Sequence, residues 1–244
     1  ISLAITTNQI KENKFISSLP KEVNDYGGTI LNHSHSHPIN WGESKDKIKK
    51  EIKTSNNIIK KTYGIKAEYA VSPFHHLTWN ALEVLSELDF KGVIAGISSS
   101  HHEFLIIKGG LIHEKLDILL HSQQCMIHGD CITKIRTLNS YLNAFSLYSN
   151  LGFSTGYLDH PISKRYDYGW INFERQVKTH QQIIEYLLNK NIKFIDQKEL
   201  FERLAAKEKI QLKTINKNDS YSLEIKNESK HCLSISFGGK RFNC

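Results

Sequence analysis

Short apolar runs alternate with longer amphipathic stretches along the first hundred residues of the chain. The apolar runs predict four strands, at residues 1–6, 29–31, 68–71 and 90–96. The amphipathic stretches predict three helices, at residues 8–26, 43–62 and 78–88. This alternation favours a parallel α/β sheet whose strands are connected by helical crossovers.

The helix predicted at residues 43–62 has the clearest periodicity. Its apolar or small residues recur at spacings of four, three and four, and they are Ile48, Ile52, Ser55 and Ile59. This spacing indicates one buried stripe along a helix. Gly64 stands where a glycine cap is expected, so the helix is predicted to end just before it.

The pattern is less regular up to residue 150 and clearer beyond it. Residues 97–150 predict short strands and loops, with a helix at 133–148. The elements predicted next are a strand at 152–158, a helix at 172–189, a strand at 192–195 and a helix at 197–207. From about residue 209, short apolar–polar alternations separated by turn residues predict antiparallel strands. We therefore predict an α/β domain at residues 1–208 and a small β appendage at residues 209–244.

The composition is typical of a globular chain, with 39% hydrophobic and 23% charged residues. No run of about 18 apolar residues is present, so no integral membrane segment is expected. The chain does not begin with Met, and its apolar start is interpreted as a start inside the fold. The net charge of +7 comes from scattered lysines without a basic–aromatic module, so nucleic-acid binding is not expected. The four cysteines form no CxxC pair, which excludes a zinc ribbon.

The most informative segment is residues 32–38, Asn-His-Ser-His-Ser-His-Pro, which follows the second predicted strand. Neutral imidazole is the commonest protein ligand for zinc and similar cations. Pro38 disfavours helix at His37, so the segment is a junction between strand and loop, where α/β sheets place their sites. Three alternating histidines at such a junction indicate a metal site. Ordinary surface or hydrogen-bonded histidines are the alternative, since the chain has 13 histidines.

Residues 27–38 resemble the second motif of the NodB-type polysaccharide deacetylases, which belong to carbohydrate esterase family 4. That motif is a His, a Ser or Thr, two variable positions and a second His, often followed by Pro. His33, Ser34 and His37 match it position for position. The resemblance implies a distorted (β/α) barrel and a divalent metal, usually Zn²⁺, bound by His33 and His37. It also implies that Ser34 steadies the loop by hydrogen bonding.

Residues 156–160, Gly-Tyr-Leu-Asp-His, resemble the last strand of the family, which ends in Leu-x-His. The resemblance implies that His160 is the general acid that protonates the leaving amine. His128 is the rival candidate. Six residues near the motifs are candidates for substrate binding, with local packing as the alternative for the aromatic and charged ones: Trp41, Pro73, Phe74, Arg165, Tyr168 and Trp170.

Three family motifs are absent or altered in this sequence. The pair of adjacent aspartates that supplies a metal ligand and a base in the family is absent, and the interpretation is that the chain begins downstream of it. The third motif is altered, because the position of its usual arginine falls near Val71, with Ser72-Pro73-Phe74 following. The fourth, Asp-rich motif is not clear at residues 98–103.

The resemblance implies metal-dependent hydrolysis of N-acetyl amide groups on a cell-envelope or extracellular polysaccharide or oligosaccharide. The implied location is periplasmic, cell-surface or secreted in a bacterium, while a cytoplasmic location stays open. Two alternatives remain. One is an inactive deacetylase-like domain that binds glycan. The other is a different metal-dependent hydrolase on an α/β barrel that uses the additional histidines.

Overall fold

The computed structural model describes residues 1–10, 14–96, 110–111, 116–123, 125–126, 138–150, 154, 157–160, 172–217, 220–232, 234–237 and 240–243. Contacts within the chain define two units, Ile1–His121 together with Ile195–Cys244, and Ser122–Phe194. The first unit includes residues on both sides of the predicted domain boundary at residue 208, and that boundary stays a prediction.

The first unit is built on a sheet whose first four strands are the predicted ones: β1 (Ser2–Ile5), β2 (Thr29–Asn32), β3 (Tyr69–Val71) and β4 (Gly92–Gly96). Neighbouring strands in this series pair in parallel. Two further strands, β5 (Gly110–Leu111) and β6 (Leu119–Gln123), pair with each other in antiparallel fashion. The strand order is β1-β2-β3-β4-β6-β5, so β2 and β3 lie inside the sheet. The predicted α/β class is therefore confirmed.

The helices of the described residues are α1 (Lys14–Asp25), α2 (Lys45–Tyr63), α3 (Trp79–Glu87), α4 (Leu138–Asn150), α5 (Phe173–Asn189) and α6 (Gln197–Glu208). In α2 the predicted stripe is confirmed, because its four residues are the buried residues of the helix. The helix begins after Ser44, whose side chain accepts a hydrogen bond from Lys47 N. It ends at Gly64, which has a φ of 74°, a left-handed conformation that glycine adopts at low cost.

Successive residues of a strand point to opposite faces of the sheet, and both faces of the parallel strands are covered by helices. On one face Ala70, Val93 and Ala95 pack with apolar residues of α2 and α3. On the other face the strand residues Tyr69, Val71 and Ile94 pack with residues of α6, namely Leu200, Phe201 and Leu204. The rings of Tyr69 and Phe201 are stacked with centroids 5.1 Å apart. The strands therefore consist of nearly continuous buried residues.

The second unit contains the helices α4 and α5 and a short parallel pair formed by β7 (Cys125–Met126) and β8 (Tyr157–Leu158). The two helices pack through a buried cluster of Tyr141, Phe145, Ile183 and Leu187. The strand predicted at residues 192–195 is wrong. There, Ile192 N donates to Leu187 O over 3.0 Å and closes the end of α5, so the segment completes a helix terminus.

The C-terminal residues form the predicted antiparallel strands. The first hairpin pairs β9 (Gln211–Lys217) with β10 (Ser220–Lys226), and the second pairs β11 (Ser234–Phe237) with β12 (Lys240–Asn243). Among the described residues, none of the helices has the length and apolar character needed to cross a membrane.

Candidate metal centre

The predicted metal motif lies at the end of β2, and Asn32 fixes that end. The side chain of Asn32 is fully buried. Its Nδ2 donates to Ile52 O over 3.3 Å and to Asn56 Oδ1 over 2.8 Å, and both acceptors lie on α2. Its Oδ1 accepts from Ser34 N over 2.9 Å. The side chain thus ties the strand, the helix and the following turn together.

Residues 33–38, which we call the histidine loop, turn sharply at two non-glycine residues. Ser34 has a φ of 64° and His37 a φ of 53°. The left-handed region costs an L-residue roughly 1–2 kcal/mol, so surrounding contacts must hold this conformation. One such contact is internal, because Ser34 Oγ accepts a hydrogen bond from His37 N over 2.9 Å. It is a contact of the kind that the resemblance implies for Ser34.

The turn after β1 covers the carbonyl groups of the histidine loop. Thr7 N donates to Ser34 O over 3.3 Å, and Asn8 N donates to His35 O over 3.0 Å. The hydroxyl of Thr6 donates to His33 O over 3.3 Å. The backbone of the loop is therefore held by hydrogen bonds from the turn that follows the neighbouring parallel strand.

The imidazoles of His33 and His37 lie side by side. Their ring centroids are 4.6 Å apart, with an angle of 72° between the ring planes. His33 Nδ1 lies 2.9 Å from Val71 O at the end of β3. A carbonyl oxygen only accepts hydrogen bonds, so Nδ1 carries the proton and Nε2 carries the lone pair. This tautomer suits an imidazole that ligates a metal through Nε2.

His35 takes no part in this pair of rings. Its Nδ1 lies 2.9 Å from Thr7 Oγ1 on the other flank of the loop. The carboxylate of Glu51 on α2 accepts hydrogen bonds from His35 N over 2.9 Å and from Ser36 N over 2.7 Å. It also accepts from Ser36 Oγ over 2.9 Å. Glu51 is not among the candidate residues expected from the sequence. Its place three residues after Ile48 in the buried stripe is the signal that could have found it.

The aromatic candidates fall in different surroundings. Pro73 is buried at the start of a 3-10 turn, Pro73–His75, whose second residue is Phe74. The Phe74 ring contacts the His37 ring with centroids 4.4 Å apart, and the side chain is 37% exposed. Trp41 is only 2% exposed and belongs to the core cluster around α2 and α3. This burial favours the packing alternative for Trp41, because a sugar ring needs an exposed indole face.

A cleft of about 260 Å³ lies beside the histidine loop. Its lining residues come from the chain after the loop and from α2: Pro38, Asn40, Trp41, Gly42, Lys47, Ile48, Lys50 and Glu51.

His160 follows β8 in the second unit. It lies next to Asp159, whose carboxylate has several hydrogen-bond partners. Asp159 Oδ1 accepts from His160 N over 2.8 Å. Asp159 Oδ2 lies 2.7 Å from His180 Nε2 and accepts from Gln176 Nε2 over 3.1 Å, and both donors lie on α5. The contact with His180 was not predicted, since residues 21 positions apart meet only in the folded chain. Several other candidates lie outside the described residues: Arg165, Tyr168, Trp170 and His128.

Within the part of the chain that the structure describes, no three His, Cys, Asp or Glu side chains are placed to hold one metal ion. His33 and His37 therefore supply two imidazoles, which is part of the ligand set that zinc takes in proteins. The donor types and the tautomer of His33 fit a divalent transition metal.

Residues 2–93 match the family model described as polysaccharide deacetylase. No curated protein matches the chain.

Three similar crystal structures illustrate the fold. A Mycobacterium smegmatis protein assigned as a polysaccharide deacetylase aligns with a TM-score of 0.62 and 12% identity, over 85% of this chain and 72% of that chain. The PuuE allantoinase aligns with a TM-score of 0.59 and 12% identity, over 84% and 68%. A family 4 acetyl xylan esterase from Clostridium thermocellum, in complex with cobalt, aligns with a TM-score of 0.50 and 16% identity, over 82% and 77%.

At these identities the structural neighbours show the fold, and the family model covers the strands β1 to β3, the histidine loop and the beginning of β4. Residues 2–93 therefore match the polysaccharide deacetylase family, and the fold of the structural neighbours agrees with that match.

Proposed function

We propose that this protein is a metal-dependent hydrolase that removes acetyl groups from the N-acetylated sugars of a cell-envelope or extracellular polysaccharide. The observation that carries the proposal is the side-by-side placement of the His33 and His37 rings, 4.6 Å apart at their centroids. This pair lies at the end of a central strand, within the residues that match the family model. A periplasmic, cell-surface or secreted location would suit such a substrate.

His33 and His37 would hold the metal, and the residues around them would keep the two rings in place. His33 is oriented by Val71 O, and the loop that carries both histidines is anchored by Ser34 and Asn32. When bound, a divalent ion such as Zn²⁺ supplies Lewis acidity toward the acetyl carbonyl.

The protein groups would bind the acetylated sugar and move protons. Phe74 contacts His37 and is partly exposed, so its ring offers an apolar surface for the acetyl methyl or the sugar ring. The family resemblance assigns to His160 the proton donation to the departing amine, which hydrolysis of an amide requires. A histidine suits this role because its ordinary pKa lies near neutrality.

Two other reactions suit the same fold and set the controls. The Clostridium thermocellum neighbour is an acetyl xylan esterase, which acts on an ester, and another neighbour is an allantoinase. A second candidate function is glycan binding without turnover. It is favoured by the lack of a third ligand among the described residues.

The test measures the metal content of the purified chain and the release of acetate from N-acetylglucosamine oligomers. Acetylated xylan and allantoin serve as competing substrates. The variants are His33→Ala with His37→Ala, and His35→Gln as a matched control, because His35 lies in the same loop but points to Thr7. We expect one metal ion per chain and acetate release in the wild type and the control, and neither in the double variant.

The possible outcomes separate the alternatives. Acetate from xylan alone would change the scissile bond to an ester, and turnover of allantoin alone would remove the deacetylase assignment. Bound metal without turnover of any substrate would favour glycan binding. A wild type that binds no metal would refute the ligand assignment.

A further inference from the structure

Glu51 is the charged side chain that reaches the histidine loop from α2. It lies between Ile48 and Ile52 of the buried stripe, and it is half-buried rather than solvated. Its carboxylate accepts the backbone N–H groups of His35 and Ser36 and the hydroxyl of Ser36, at 2.7 to 2.9 Å. These three donors belong to the two residues that follow Ser34 and precede His37.

From this geometry we propose that Glu51 is a positioning residue that sets the affinity of the His33–His37 pair for a divalent metal. The inference rests on the proposed function. Glu51 acts through the loop, because it accepts hydrogen bonds from the backbone N–H groups of His35 and Ser36 and from the Ser36 hydroxyl.

The need for such an anchor follows from the strain in the loop. Ser34 and His37 have positive φ values of 64° and 53°, so the segment would relax to another conformation without external contacts. Two successive backbone N–H groups converge on Glu51 Oε2, an arrangement that favours an anion. Hydrogen bonds to an ionised acceptor are shorter and stronger than neutral ones.

The other hydrogen bonds of the loop hold groups other than the N–H groups of His35 and Ser36. Asn32 and Ser34 hold the backbone N–H groups of Ser34 and His37, at the two ends of the turn. Thr7 and Asn8 hold carbonyl oxygens. Within the described residues, Glu51 Oε2 accepts the hydrogen bonds of both the His35 and the Ser36 N–H groups. Its removal would therefore release the middle of the loop while the strand and the helix stay packed.

The first experiment is a calorimetric titration of the metal-free full chain with Zn²⁺. The variants are Glu51→Ala, which removes all three acceptor contacts, and Glu51→Gln, which keeps an acceptor oxygen for the backbone but loses the charge. We expect the Glu51→Ala variant to bind Zn²⁺ about 10–100-fold more weakly, as found when outer partners of metal ligands are removed. The Glu51→Gln variant should lose less.

Two controls separate positioning from general destabilisation. Glu87→Ala removes a carboxylate of α3 that pairs with Lys49 of α2 at the surface. This variant should keep the affinity for Zn²⁺ within about twofold of the wild type. Ile59→Val trims a fully buried residue about two helical turns along α2 from Glu51, and it should lower stability without weakening Zn²⁺ binding. Equal affinity of Glu51→Ala and wild type, or an equal loss in Ile59→Val, would overturn the proposal.

The second readout does not depend on metal. Amide hydrogen exchange of His35 and Ser36 in the metal-free protein should be at least about tenfold faster in Glu51→Ala, because both N–H groups lose their acceptor. A wild type that binds no Zn²⁺ would refute the proposed function and the metal role of Glu51, and the exchange rates would then show whether Glu51 holds the loop. Unchanged exchange would refute that holding role as well.

Discussion

Acidification is expected to destabilise the protein through His121, a histidine on β6 that is only 1% exposed. Burial lowers the pKa of the His121 imidazole from 6.5 to about 4, because the charged form loses its hydration. The folded state therefore binds the proton less readily than the unfolded state. Stability from this residue is fully present above pH 6.5 and is lost as the pH falls toward 4.

The magnitude follows from the two pKa values. One pKa unit corresponds to about 1.4 kcal/mol, so the complete loss is roughly 3 kcal/mol below pH 4. By the linkage relation, about 2 kcal/mol of this is lost between pH 7 and pH 5. That loss is a large part of the ~5–15 kcal/mol that holds an ordinary domain folded.

The assay is urea unfolding of the wild type and of His121→Leu at several pH values between 7 and 5. Leucine is apolar and of similar volume, so the variant should lack this part of the acid sensitivity whatever its stability at pH 7. Ser44→Ala, which changes no titratable group, is the control and should keep the wild-type slope. Carboxylates also titrate in this range and contribute equally to the wild type and to His121→Leu. The difference between these two proteins in the pH dependence of the unfolding free energy therefore isolates His121. Equal slopes for the wild type and His121→Leu would refute the reasoning.

Three further predictions concern other parts of the chain. Asp159→Asn should lower acetate release at least about tenfold with unchanged metal content, because Asp159 accepts a hydrogen bond from the N–H of His160, the proposed proton donor, and an amide oxygen accepts more weakly than a carboxylate. Unchanged release would contradict a role for this carboxylate. Gly92→Ala should cost about 1–3 kcal/mol in urea unfolding, because its Cβ would lie 2.5 Å from the Phe201 ring; a stability equal to wild type would show that the ring moves freely. Ser44→Ala should cost about 1 kcal/mol through loss of the α2 cap, which the urea midpoint would reveal, whereas an unchanged midpoint would mean that the cap contributes nothing.

The sequence predicted the elements that have a strong local signal. The stripe of α2 and the strands β1 to β4 follow from periodicity, since one side of each helix and both faces of each central strand are apolar. The strand predicted at residues 192–195 failed because a short apolar run has no periodicity of its own. There, the contact of Ile192 with Leu187 decides the conformation.

The candidate site was predicted only in part, because only some of its residues carry a local sequence signal. His33 and His37 are close in sequence and match a family motif, so they could be found without a structure. The supporting contacts join distant residues, such as His33 with Val71 and Asp159 with His180. No local pattern encodes such pairs. Trp41 shows why a residue close to a motif can also be misjudged. An aromatic residue there has the same sequence signature whether it is exposed for binding or, like Trp41, buried in the core.

The histidine loop takes its support from three separate segments: the turn after β1, the helix α2 through Glu51, and the end of β3 through Val71. These segments meet only after the parallel strands have paired, so an unfolded chain has no preformed site. Any ion held by His33 and His37 would therefore bind the native state selectively. At a free concentration 100-fold above its dissociation constant, it would add about 2.7 kcal/mol to stability. The melting temperature would then rise with metal concentration, and thermal unfolding would report how much of the sheet must assemble before the site exists.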